Sequence, residues 1–173
     1  MTHEIDTKEF KKQLRSSAFY LMGAMRESGI NFEQAKQAKK DKEAKKGEVH
    51  GLMENALEEL RKGLACACFL RGYISALACL NPPQEDKQGF EFGPPETRYL
   101  TMITIADTIY KTIEKTYDSE EHCLVALMDC YKDVGTLLRE IELAKVEYGA
   151  VVKEFAEELE EEDKAQDCSE SKE

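Results

Sequence analysis

The stretch GLACACFLRGYISALACL, Gly63 to Leu80, decides how this chain folds. Its only charge is Arg71. About 20 apolar residues cross the hydrocarbon core of a bilayer, so length alone admits a membrane span. Arg71 at mid-stretch argues against one, at about 2.5 to 3.5 kcal/mol on insertion, and small residues outnumber large ones. A small-residue helix that is apolar all round reads instead as the buried centre of a helical bundle. Upstream, MTHEIDTKEFKKQLR is polar throughout and lacks the apolar core of a signal peptide. The expected location is cytoplasmic, with no membrane partner.

Working back from this run, Met53, Leu57, Leu60, Leu64, Ala67, Arg71, Ile74 and Ala78 form a heptad seam, ended by Pro82 and Pro83. Before it, EQAKQAKKDKEAKKGE (33–48) carries six lysines against four acids and no apolar stripe, which reads as a charged solvated helix or a linker. An excess of two positive charges without interleaved aromatics makes nucleic-acid binding unlikely. The first helix reads from Thr7 to Ser28, with Phe10, Leu14, Ala18, Leu21 and Met25 at helical spacing. Asp6 and Glu9 resemble a capping box, and Gly29 is placed to stop the helix. Asn31 can then cap a second one.

Downstream, NPPQEDKQGFEFGPPE (81–96) is a long connection stiffened by four prolines and carrying Phe90 and Phe92. The next helix spans Thr97 to Tyr117, with Tyr99, Met102, Ile103, Ala106, Ile109, Tyr110 and Ile113 on one face. A strand signal at 100–105 yields to helix on length and on the polar set Thr101, Thr104, Thr108, Lys111 and Lys115 opposite. The last element starts at Asp118 or Ser119. Its rows Leu127, Val134, Ile141, Tyr148, Phe155 and Cys130, Leu137, Ala144, Val151 repeat every seven residues. The stripe is wider than a two-stranded coiled coil needs and suits a multi-helix bundle.

The expectation is therefore an all-α protein: an antiparallel four- or five-helix bundle with a long C-terminal helix, residues 1–156 forming a single domain. At 173 residues the chain buries a core without metals or disulfides, so its six cysteines read as reduced thiols. Residues 154–173 hold ten acids and two lysines, most of the net charge of -11, and 157–173 reads as a disordered acidic tail.

Chemistry is sparse in this sequence. No Glu-x-x-His pair, glycine-rich phosphate loop or zinc-spaced cysteine pair is present, so no cofactor and no metal is expected. Glu54, Glu58 and Glu59 are the nearest approach to an all-α nucleotide hydrolase site, and Cys123 beside His122 to an activated thiol. Arg71 is the sharper question, because a buried guanidinium requires partners. Glu121, Glu142 and Asp107 are the candidate carboxylates, and Tyr73, Tyr110, Tyr131 and Tyr148 could complete a polar network or a binding pocket. The composition points away from an enzyme and toward a helical interaction or oligomerisation subunit that meets a protein partner or itself through its long last helix. An acidic, immunity-type inhibitor of a basic partner is one alternative, and an all-α metal-dependent nucleotide hydrolase using Glu54, Glu58 and Glu59 is the other.

Overall fold

In the computed structural model, residues 7–41, 43–78, 97–117 and 123–170 are described. They form four helices and no strand: α1 Thr7–Lys40, α2 Lys46–Ala78, α3 Arg98–Tyr117 and α4 Cys123–Glu170. None of these helices is long and apolar enough to cross a membrane.

Backbone contacts join α1 to α2, α2 to α4, α4 to α3 and α3 to α1, so each helix holds a corner of a square. Every adjacent pair is antiparallel. Ser28 meets Ala56 and Gly63 meets Met25 between α1 and α2, while Arg15 meets Glu114 and Arg26 meets Asp107 between α1 and α3. Arg71 meets Tyr131, and Lys46 meets Glu162, between α2 and α4. Consequently α1 runs parallel to α4 across one diagonal and α2 parallel to α3 across the other. The chain leaves α2 at one end of the bundle and enters α3 toward the other.

The heptad rows read from the sequence form the core. Leu127, Val134, Ile141, Tyr148 and Phe155 are buried on α4, as are Cys130, Leu137 and Ala144. Met53, Leu57, Leu60, Ala67 and Ile74 face them from α2. Leu14, Ala18, Leu21 and Met25 come from α1, and Met102, Ala106, Ile109 and Ile113 from α3. The face Thr101, Thr104, Thr108 and Thr112 turns its hydroxyls back onto carbonyls four residues earlier, at 2.8 to 3.3 Å, as surface helical threonines do.

Two boundaries differ from the sequence reading. Gly29 does not stop the first helix, which continues to Lys40. Its missing side chain serves packing: a Cβ there would lie 2.8 Å from Ile103 Cδ1 and 3.4 Å from Tyr99 Cδ2, so glycine lets α3 approach. Asn31 is no cap, and its amide donates back to Glu27 O at 3.0 Å. Residues 33–48 are divided among three parts of the fold. They are the last turns of α1, a tight turn, and the start of α2. Buried Ala35, with Ala38 and Phe32 half-buried beside it, supplies the apolar contact that short alanines conceal in the sequence. Asp41 shapes the turn by accepting from Glu43 N at 3.0 Å, while Asp41 N donates to Ala38 O at 3.1 Å.

A third difference concerns the opening stretch. A square of four helices has no central member, and α2 sits at a corner. Gly63, Ala67, Leu70 and Ile74 face inward, but Ala65, Cys68, Phe69, Gly72 and Ala76 are exposed. Over residues 63–76 the apolar run is buried on one side only.

At its far end α4 is helical to Glu170, with every residue from 161 to 168 exposed. Lys46, the first residue of α2, pairs with Glu162, so about eight further residues, roughly 12 Å, pass beyond the α1–α2 turn.

Candidate functional site

Arg71 lies half-buried on the seam between α2 and α4. Its Nε donates to Tyr131 Oη at 3.3 Å, and the guanidinium carbon stands 5.5 Å from the Tyr131 ring centroid, within cation–π range. The carboxylates considered for it are engaged elsewhere. Asp107 pairs with Lys111 at 2.6 Å and Arg26 at 3.2 Å, and Glu142 with Lys145 at 3.6 Å. Glu121 lies outside the described residues, as do Phe90 and Phe92.

The four tyrosines do not converge on Arg71. Tyr131 alone reaches it. Tyr73 packs edge-on against Phe69 at 4.4 Å on α2, and Tyr110 packs against Phe19 at 6.1 Å on the α1–α3 surface. A hydrogen bond to Glu114 raises the Tyr110 hydroxyl above its ordinary range. Tyr148 is buried across the α1–α4 diagonal, stacked on Phe32 at 4.5 Å with the rings within 5° of parallel. Its Oη completes no hydrogen bond of good geometry, although the nearby Ser28 hydroxyl favours the phenolate slightly. Burial dominates and pushes this phenol far up. Ser28 spends its own proton on Ala56 O at 2.9 Å.

The buried charge is instead Arg98, at the start of α3. Arg98 is 9 % exposed and Glu140 1 %. Arg98 Nη1 donates to Glu140 Oε2 at 2.9 Å and Nε to Glu147 Oε1 at 3.1 Å. Two carboxylates thus surround one guanidinium at the N-terminal end of a helix, where the backbone dipole adds to their stabilisation. A signal for this group exists in the sequence: Asp133, Glu140, Glu147 and Glu154 recur every seven residues beside the apolar stripe of α4. Asp133, half-buried without such a partner, has its carboxyl raised by burial and by Asp129.

The groups with catalytic potential are quiet. Burial, reinforced by Asp133 and Asp129, pushes the Cys130 thiol up to about 12, and burial raises Cys66. A thiol so shifted is a poor nucleophile. The Cys123 side chain lies outside the described residues. Glu58 pairs with Arg61 at 3.2 Å, Glu59 with Lys62 at 2.6 Å, and Glu54 lies 3.7 Å from His50, all along one helix. Among the described residues no three His, Cys, Asp or Glu side chains come together as a metal site.

What the bundle does present is apolar surface. Phe69 is 50 % exposed on α2, and Val146 72 % exposed beside Leu143 on α4. Comparisons with protein-family models, with curated proteins and with solved structures give no match to this chain.

Proposed function

We propose that the protein is a non-enzymatic helical subunit that works by association with a protein partner or with itself. The observation that supports this reading is the exposed apolar face of α2, running from Ala65 through Phe69 and Gly72 to Ala76, in a bundle whose buried charges Arg98 and Glu140 pair with each other. A monomer rarely leaves an apolar helix face open without a use for it. The outer face of α4, with Leu143 and Val146, and its projecting end supply a second surface on the long helix. Purified full-length chain, weighed by light scattering and used as bait in a native pull-down, tests the reading. It expects either a mass above 19.7 kDa or a stoichiometric partner, and a monomer that recovers no partner contradicts it.

An acidic inhibitor of a basic protein is the second reading. It is favoured by the exposed acids of 160–168 and by the way Glu158 and Glu162 already gather around Lys46. Binding of that kind weakens steeply with salt and is lost on removing 157–173.

A further inference from the structure

We propose that the acidic end of α4 is a latch on the α1–α2 turn, closed by Glu158 and Glu162 on Lys46 and opened by salt or by a cation that takes the two carboxylates. The latch goes beyond the association reading and does not depend on it.

The heptad pattern changes character after Phe155. Upstream, Ile141, Tyr148 and Phe155 in one row, and Leu137, Ala144 and Val151 in another, pack into or against the core. Seven residues on, the same rows place Glu162 after Phe155 and Glu158 after Val151. The face of α4 that packs the core thus becomes a carboxylate face where it reaches the start of α2. What it meets there is basic, since residues 39–46 hold five lysines against two acids.

Lys46 Nζ lies 4.0 Å from Glu158 Oε2 and pairs closely with Glu162 Oε1. The hydrogen bond to Glu162 raises the Lys46 ammonium above its ordinary range, and the charges of Glu162, Glu158 and Glu161 add to it. The N-terminal end of α2, where Lys46 sits, contributes the positive pole of its helix dipole to the same attraction. On the other arm of the turn, Lys39 Nζ stands 5.1 Å from the Phe155 ring centroid, within cation–π range. One helix end therefore touches lysines on both sides of the turn.

The turn itself is held by short-range backbone bonds. Asp41 N donates to Ala38 O at 3.1 Å and Ala44 N to Asp41 O at 3.2 Å, while Glu48 N and Val49 N share Lys45 O at 2.9 and 3.3 Å. Segments with few buried contacts open locally at low cost, so an added tie across the turn changes how often it opens. The three side chains of the tie are 42 to 51 % exposed, which leaves the pairs open to screening and displacement. Exposed pairs are individually weak, and that weakness makes the latch reversible.

Residue-resolved hydrogen exchange of the full chain, at about 20 and about 500 mM NaCl, tests the latch. The variants are Glu158→Gln with Glu162→Gln, Lys46→Gln, and a charge-matched control, Glu160→Gln with Asp163→Asn, outside the group of acids that acts on Lys46. The amides read are Ala44, Glu48 and Val49, with buried Leu60 in the middle of α2 as reference. At low salt the expected result is turn exchange about threefold faster, or more, in both the glutamate pair and Lys46→Gln, with Leu60 and the control pair unchanged. High salt, or an octalysine peptide at low salt, brings the wild type to the same faster rate. Turn amides that keep the wild-type rate in both latch variants overturn the proposal. Equal acceleration by the control pair also overturns it, by assigning the effect to net charge. An octalysine peptide that leaves the wild-type turn unchanged overturns opening by a cation.

Discussion

Arg98 and Glu140 meet at 2.9 Å, from the start of α3 to the middle of α4, with both side chains sealed from solvent. This contact ties the third helix to the fourth at the end where the chain arrives from α2. Glu147 adds a second carboxylate at 3.1 Å, so the guanidinium is held on two sides.

Removing one partner of a buried pair leaves a charge without compensation and costs about 3 to 5 kcal/mol. Glu140→Ala is therefore expected to lower the melting temperature by roughly 10 °C, at the few degrees per kcal/mol usual for a domain of this size. The double variant Arg98→Met with Glu140→Leu, which replaces the pair by apolar volume, should recover most of that loss. A melting curve for Glu140→Ala superimposable on the wild type would show that the pair holds nothing together.

Tyr148 carries a hydroxyl that burial deprives of water and that completes no good hydrogen bond. Tyr148→Phe keeps the stack on Phe32 and deletes the orphaned group. The expected change is between zero and about 1 kcal/mol of added stability. Urea denaturation measures it, and a loss above 1 kcal/mol would mean that the hydroxyl has a structural partner.

Two aspartates respond to pH in opposite directions. Lys111, with help from Arg26, holds the Asp107 carboxyl below its ordinary 3.8, so the folded state gains from this group at neutral pH and loses that gain as pH falls through the depressed value. Burial and Asp129 raise Asp133 above 3.8. Its ionisation therefore costs stability at neutral pH, and the cost disappears as pH falls through the raised value. Denaturation midpoints between pH 3 and 7 should show Asp107→Asn weaker than wild type at pH 7 and Asp133→Asn stronger, the differences shrinking in acid. Asp133→Asn destabilising at pH 7 would contradict the assignment.

Thiol reactivity should separate the cysteines by burial. Cys68 and Cys168 are exposed, whereas Cys130 is enclosed, its Sγ 3.7 Å from Ile109 O. A thiol pushed up to about 12 stays protonated at pH 8. Mass-resolved labelling of native protein should modify Cys68 and Cys168 quickly and Cys130 only after unfolding. Rapid labelling of Cys130 would mean that the α3–α4 seam opens.

Much of the fold was legible in the sequence because heptad rows name their own faces. Leu127, Val134, Ile141, Tyr148 and Phe155 on α4, and Met53, Leu57, Leu60, Ala67 and Ile74 on α2, are buried where their spacing puts them. Gly29 misled because the same residue that ends helices also permits close packing, and only Ile103 on the facing helix tells the two apart. Ala35 and Ala38 misled because alanine buries a face without looking apolar among lysines. The site was less legible. Arg71 drew attention as a charge in an apolar run, yet it sits at a corner seam, while Arg98 is sealed by acids 42 and 49 residues away. Local sequence does not reveal pairing over that distance. The apolar run itself read as a bundle centre because composition cannot distinguish a helix buried on all sides from one with an exposed face.

Whether the exposed face of α2 serves association is the centre of the account, and the mass of the full-length chain in solution tests it most directly. Light scattering together with a native pull-down should give a mass above 19.7 kDa or a stoichiometric partner. A monomer that recovers no partner would contradict the account.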